Sequence, residues 1–172
     1  MGAFPKSPIF SAETSVFIET GTASGRSSRI AFEIGFSQVH SCDIRSISSI
    51  DDLLRVSGFH YEKRKSTDFL TDVLASLEER ATFWLDAHPP DFSPGAWSLW
   101  DELDLILAHR VKDHVIVVDD WDIIRRQFPE RLEQRILAAN PLYSFAAITF
   151  NRIPDILIAE TCLGISSSII NP

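Results

Sequence analysis

The chain predicts an α/β fold: a seven-stranded, mostly parallel sheet between two layers of helices, with its last strand antiparallel. Three observations carry this. Apolar strand-like runs alternate with helix-length segments along nearly the whole sequence, the pattern of repeated βαβ units. Two runs, TFWL at 82–85 and VIVV at 115–118, are apolar without interruption, as expected of strands covered on both faces. The final two runs are separated only by Asn151-Arg152-Ile153-Pro154, which is hairpin spacing.

Taken in order, the first strand is Ser15–Glu19. A small-residue turn with Gly21 and Gly25 leads into a helix over Gly25–Ile34. The second strand is Gln38–Cys42, followed by a Ser- and Ile-rich stretch, short for a helix, over Ser49–Ser57. A third strand, Phe59–Lys63, precedes a helix over Asp68–Glu79, and a fourth strand spans Thr82–Asp86. The segment HPPDFSPGAW at 88–97 carries three prolines and a glycine, which stop any helix. It leaves the fourth strand at its C-terminal end, where open α/β sheets bind ligands. A helix over Ser98–Ala108 and the strand His114–Asp119 come next. A helix over Pro129–Ala139 and the pair Tyr143–Phe150 and Asp155–Ala159 complete the pattern.

The 172 residues suit one domain with one core, spanning about 14–160. Hydrophobic residues at 45% and charged residues at 23% are ordinary for a globular protein. The net charge of −8 argues against a nucleic-acid partner held by phosphate contacts. No apolar run reaches the roughly 18 residues of a membrane span, and the first 14 residues lack the apolar stretch of a signal peptide. Cys42 and Cys162 do not make a disulfide framework, so a reducing cytoplasm is the expected location. Cys42, in a strand, reads as a small buried hydrophobe.

The stretch Val16–Asp43 holds the front half of a nucleotide-type cofactor site. Gly21 and Gly25 permit a tight turn and close approach of a ligand. The following helix aims its N-terminal amides there. Asp43 stands where a Rossmann-like sheet offers an acid to a ribose diol. The turn Gly21-Thr22-Ala23-Ser24-Gly25 has no middle glycine for a pyrophosphate, and no lysine follows it as in a P-loop. Glu19, just before the turn, repels a pyrophosphate and suits a cationic or amine-bearing ligand. S-adenosylmethionine, with its sulfonium and ammonium, fits better than a dinucleotide.

Acids stand at four strand ends: Glu19, Asp43, Asp86 and the pair Asp119-Asp120. Neighbouring strand tips lie about 5 Å apart, so acids on two of them can face one ion. Carboxylate oxygens with waters suit a hard cation such as Mg²⁺. An Asp at a strand end can equally cap a helix or form a turn, as Asp120 could before Trp121. His88, two residues beyond Asp86, reads either as a loop histidine or as a ligand or base.

ETGTASGRSS at 19–28 resembles the first motif of the Rossmann-like S-adenosylmethionine-dependent methyltransferases. FWLDAH at 83–88 and VIVVDDW at 115–121 resemble the fourth- and fifth-strand motifs of the metal-dependent O-methyltransferases, nearest the catechol-type and macrocin-type enzymes. The resemblance covers roughly residues 14–160. It implies the three-layer sandwich and a cofactor held by Glu19, Gly21, Thr22, Gly25, Ser27 and Asp43. Thr67 and Asp68 would stand on the adenine side. It implies Mg²⁺ or Mn²⁺ bound by Asp86, Asp119 and Asp120, which would orient and acidify a small-molecule hydroxyl. Two departures matter. The lysine base of the catechol type falls at Pro89, which leaves His88, beside Asp86, as the titrating candidate. There is also almost no N-terminal extension to cover the acceptor, a task left to the 88–97 loop or to a second subunit of a homodimer.

Trp97, Trp100 and Trp121 read as rim aromatics or as packing. Arg125, Arg126, Arg131 and Arg135, interleaved with Asp122, Glu130 and Glu133, read as a solvated helix face. A non-catalytic cofactor-binding protein is the rival reading. A nicotinamide oxidoreductase is disfavoured by the missing middle glycine and the acid pair.

Overall fold

The structure, a computed structural model, describes residues 14–88, 97–127, 131–150 and 153–161. Five parallel strands form its centre: β1 (Val16–Thr20), β2 (Gln38–Asp43), β3 (Phe59–Lys63), β4 (Ala81–Leu85) and β5 (Val115–Val118). β6 (Tyr143–Phe150) and β7 (Ile153–Thr161) follow, and the sheet order is β3-β2-β1-β4-β5-β7-β6. β7 is antiparallel to both of its neighbours. The predicted seven strands and antiparallel ending are therefore what the chain forms.

The apolar runs end up in the middle. Every residue of β1, β4 and β5 is buried, because helices cover both faces there. β1 alternates between two cores. Ile18 packs with Phe83, Leu103 and Ile116 on one face, and Phe17 with Val39, Trp84 and Val117 on the other. The helices are α1 (Arg26–Ile34), α2 (Ser66–Ser76), α3 (Leu99–Ala108), α4 (Trp121–Gln127) and α5 (Leu132–Ala139). α1 starts after Gly25 and stops at Gly35, whose left-handed backbone (φ 111°) lets its N–H reach the carbonyls of Ala31 and Phe32.

Three expectations change. The stretch over Ser49–Ser57 forms two short 3₁₀ turns, Ser48–Ile50 and Leu53–Arg55, instead of a regular helix. Ile50 and Leu53 are buried there while the intervening residues are exposed, a spacing of three that suits 3₁₀ geometry. The acid pair runs straight into α4, so a helix begins earlier than the one expected from Pro129. The basic run is exposed at Arg125, Arg126 and Arg131, as a solvated face is, but it is also paired: Arg125 and Arg126 bind the buried Asp122, and Arg135 pairs with Asp104 and lies over Trp100. Cys42 is buried as expected, and Cys162 lies outside the described residues. Among the described residues no helix is long and apolar enough to cross a membrane.

Candidate active site at the carboxyl edge of the sheet

The β1–α1 turn is built onto the tips of its neighbours. Gly21 (φ 87°) has no side chain because a Cβ there would lie 2.5 Å from the Asp86 carbonyl oxygen. That contact brings the β1 and β4 tips together, and the Asp86 N–H donates to the Thr20 carbonyl at 3.1 Å. A Cβ on Gly25 (φ 71°) would meet Ile50 and Leu53, so this glycine admits the 3₁₀ segment over the turn. Arg29 ties the two together, donating to the carbonyls of Ser24 and Ser49 and pairing with Asp52. The N–H groups of Gly21 and Thr22 both donate to the Cys42 carbonyl, and that of Ala23 to Asp43 Oδ2. Both glycines thus have a packing reason as well as any ligand-facing one.

Glu19 lies beneath the turn, 1% exposed. Its Oε2 accepts from Ser28 and Ser41, each at 2.6 Å, with Ser27 a further donor. Thr22 Oγ1 sits 2.6 Å from Ser41 Oγ and extends the chain of hydroxyls. Burial pushes the Glu19 carboxyl up to about 7, against the pull of the serines. The sequence placed Glu19 opposite an ammonium. The fold encloses its carboxyl among hydroxyls.

Asp43 ends β2 and is 6% exposed. Its Oδ1 accepts from the backbone N–H and Nε of Arg45, and its Oδ2 from Ala23 N–H and Arg45 Nη2. Burial raises the Asp43 carboxyl, but the Arg45 hydrogen bonds outweigh it and hold the group below the ordinary carboxylate range. Arg45 was not singled out in the sequence, although Asp-x-Arg at a strand end is the signal that could have found it. Its side chain is 65% exposed. Ile44, between the two, is 69% exposed and offers an apolar surface beside the acid. Thr67 and Asp68 sit in the first turn of α2, half-buried and exposed respectively.

The second half of the site forms at the tips of β4 and β5. His88 Nε2 lies 3.0 Å from Asp120 Oδ2 and 3.4 Å from Asp86 Oδ1. One ligating atom from each of the three lies within 4.8 Å of the others. Asp120 reaches this position through a left-handed backbone (φ 53°), uncommon for a residue with a Cβ. The His88 ring stands 5.5 Å from Trp97. Asp119, the third aspartate of the expected set, is 2% exposed, and its Oδ1 accepts from the Asp120 N–H at 2.9 Å; the trio that converges adds an imidazole to Asp86 and Asp120. Burial, then the Asp86 charge, push Asp119 up to about 7. Burial also raises Asp86, partly opposed by His88.

Two further acids meet here. Glu102 on α3 is 1% exposed, with Ser98 Oγ 2.6 Å from Oε1 and Thr20 Oγ1 3.1 Å from Oε2. Burial raises its pKa, against Ser66, Ser98 and Thr20. Asp155 enters because β7 runs antiparallel, which brings its first residues to the carboxyl edge. Burial and Asp120 raise its pKa. A small cleft opens between Asp86, His88, Trp97, Glu102, Asp119 and Ile124. Of the three rim tryptophans only Trp97 lines it; Trp121 is buried in the core and Trp100 packs against it. The expected lid and Pro89 fall largely outside the described residues, at 89–96.

Comparisons place this architecture. No family model matches the chain, and no curated protein matches it in sequence. Solved structures do match. A candidate O-methyltransferase of Klebsiella pneumoniae is 16% identical with a TM-score of 0.56, over 86% of this chain and 73% of that one. A candidate methyltransferase of Streptococcus mutans, solved with S-adenosylhomocysteine, is 13% identical with a TM-score of 0.54, over 86% and 89%. The MycE methyltransferase of mycinamycin biosynthesis, solved with Mg, S-adenosylhomocysteine and mycinamycin VI, is 10% identical with a TM-score of 0.51, over 89% of this chain and 43% of that one. The fold is that of the Rossmann-like S-adenosylmethionine-dependent methyltransferases.

Proposed function

We propose that the protein is an S-adenosylmethionine-dependent methyltransferase acting on a hydroxyl of a small molecule, with a divalent cation at the tips of β4 and β5. One observation carries the reading. On a fold shared with methyltransferases, the carboxyl edge gathers Asp43, Asp86, Asp120 and Asp155, and Arg45 and the imidazole of His88 are the groups among the described residues that meet them. Such an edge favours cationic occupants. A sulfonium cofactor and a metal ion are two of them.

Asp43 would accept the ribose diol once Arg45 swings outward, with Ile44 as an apolar neighbour for the purine. Gly21, Thr22, Gly25 and Ser27 would line the methionine side, with Thr67 and Asp68 beyond β3. Bound among Asp86 and Asp120, a divalent cation would supply charge stabilisation for a developing alkoxide or phenolate. Methyl transfer is an in-line displacement, so this chain's work is alignment and electrostatics. Asp86 and His88 would stand beside the acceptor's proton, and Trp97 would give the cleft a wall.

Incubation with S-adenosylmethionine, a divalent cation and a panel of phenols, catechols and sugar hydroxyls tests this, with S-adenosylhomocysteine as the readout. Product that depends on both acceptor and cation is expected. The second reading, cofactor binding without catalysis, draws on Pro89 in the place of the catechol-type lysine. Tight cofactor binding with no product on any acceptor would favour it.

A further inference from the structure

The third ligating atom at the β4–β5 tips is a nitrogen, and that changes which ion the site suits. We propose that Asp86, Asp120 and His88 Nε2 form a mixed nitrogen–oxygen site for a divalent transition ion such as Mn²⁺, Fe²⁺ or Co²⁺, with His88 as a ligand. The inference rests on the cation of the proposed function and not on methyl transfer.

Two of the three spacings are those of coordination edges, and the third, between Asp86 and Asp120, stays within 4.8 Å. Ligands about 2.1 Å from a metal sit roughly 3.0 Å apart on neighbouring octahedral positions, and roughly 3.4 Å apart in a tetrahedron. Nε2 is 3.0 Å from Asp120 Oδ2 and 3.4 Å from Asp86 Oδ1. Asp119 is not among the three residues that converge; its Oδ1 accepts from the Asp120 N–H and its side chain is almost wholly enclosed. Mg²⁺ holds oxygen ligands in near-ideal octahedra and gains little from imidazole, whereas ions toward the middle of the first transition row bind imidazole well. The ring is also positioned from outside the trio. The Trp97 ring lies against it at a 31° tilt, 5.5 Å between centres, and the His88 backbone N–H is anchored on the Asp86 carbonyl at 3.1 Å. With Nε2 ligated, His88 has no lone pair on that atom with which to act as a base, so this assignment replaces its role beside the acceptor's proton and leaves that role to Asp86.

The full chain, freed of metal by chelation, is titrated separately with Mn²⁺, Co²⁺ and Mg²⁺. The Mn²⁺-loaded sample is then examined by electron spin-echo modulation. A directly bound nitrogen is expected on Mn²⁺ in the wild type and should vanish in His88→Gln. That variant should lose at least about tenfold in Co²⁺ affinity while its Mg²⁺ affinity changes by less than about twofold, and Asp120→Asn should weaken every ion. Absence of the nitrogen signal from the wild type overturns the assignment without recourse to any variant. Its persistence in His88→Gln, or Mg²⁺ binding as tightly as Co²⁺, overturns it equally. A parallel titration with S-adenosylhomocysteine separates the two readings. Cofactor binding with no nitrogen on the metal sinks only this inference, and a nitrogen-bound metal without cofactor binding sinks only the methyltransferase reading.

Discussion

Glu19 is a carboxylic acid enclosed by serines, and folding keeps its proton on. Its folded pKa of about 7 lies above the ordinary 4.5, so between those values the folded chain holds a proton that the unfolded chain has released. Its contribution to stability is therefore full below about pH 4.5 and is lost as pH rises through about 7. The loss is on the order of 3 kcal/mol at roughly 1.4 kcal/mol per pKa unit. Urea unfolding between about pH 5 and pH 8 should show this decline, and Glu19→Gln should remove part of it, Asp119 carrying a comparable share. An unchanged slope in that variant would move the effect to Asp119, whose carboxyl is raised to a similar value. Asp43 is the opposite kind of acid, ionised and fully hydrogen-bonded. Asp43→Ala should cost about 1.5–3 kcal/mol in S-adenosylhomocysteine binding, the range for charge-assisted hydrogen bonds. Arg45→Ala should tighten binding, because the diol would no longer displace a guanidinium; calorimetry on the two variants checks both directions. Asp43 could be read from its place at a strand end. Arg45 had a signal two residues further on, whereas Glu102 could not be read, since its role depends on which side chains meet in space.

Among the elements, the β1–α1 turn does two things with one pair of glycines. It brings the β1 and β4 tips into backbone contact at Gly21 and receives the 3₁₀ segment at Gly25. Gly21→Ala would drive a Cβ into the Asp86 carbonyl at a φ of 87°, where side chains are strained. It should destabilise the fold by roughly 1–3 kcal/mol and also disturb the Asp86–His88–Asp120 cluster, which begins two bonds from that carbonyl. A thermal melt paired with a metal titration tests this: loss of stability with metal affinity intact would contradict the coupling. The strands were legible because uninterrupted apolar runs have few alternatives in a chain of this length. The 44–57 connection was not, because its buried residues recur every third position and compete with helical spacing. Asp155 escaped notice for a topological reason: only a reversed strand carries its first residues to the carboxyl edge.

Across the whole molecule, the sheet order brings three sequence-distant strand ends, at 43, 86 and 120, to one edge. The fold class and its antiparallel ending followed from periodicity and loop length. The cation-seeking character of the edge followed in part, because strand-end acids are visible in sequence while the buried carboxylates behind them are not. The core that holds this edge together is large, and Phe83→Ala, at a side chain with no exposed surface, should cost about 3–5 kcal/mol. The measurement that tests the central claim most directly is calorimetric titration of the full chain with S-adenosylmethionine, with and without a divalent cation. The account predicts one cofactor per chain, weakened in Asp43→Ala, and S-adenosylhomocysteine released when a hydroxylated acceptor and the cation are added. No cofactor binding under either condition, or binding indifferent to Asp43, would contradict it.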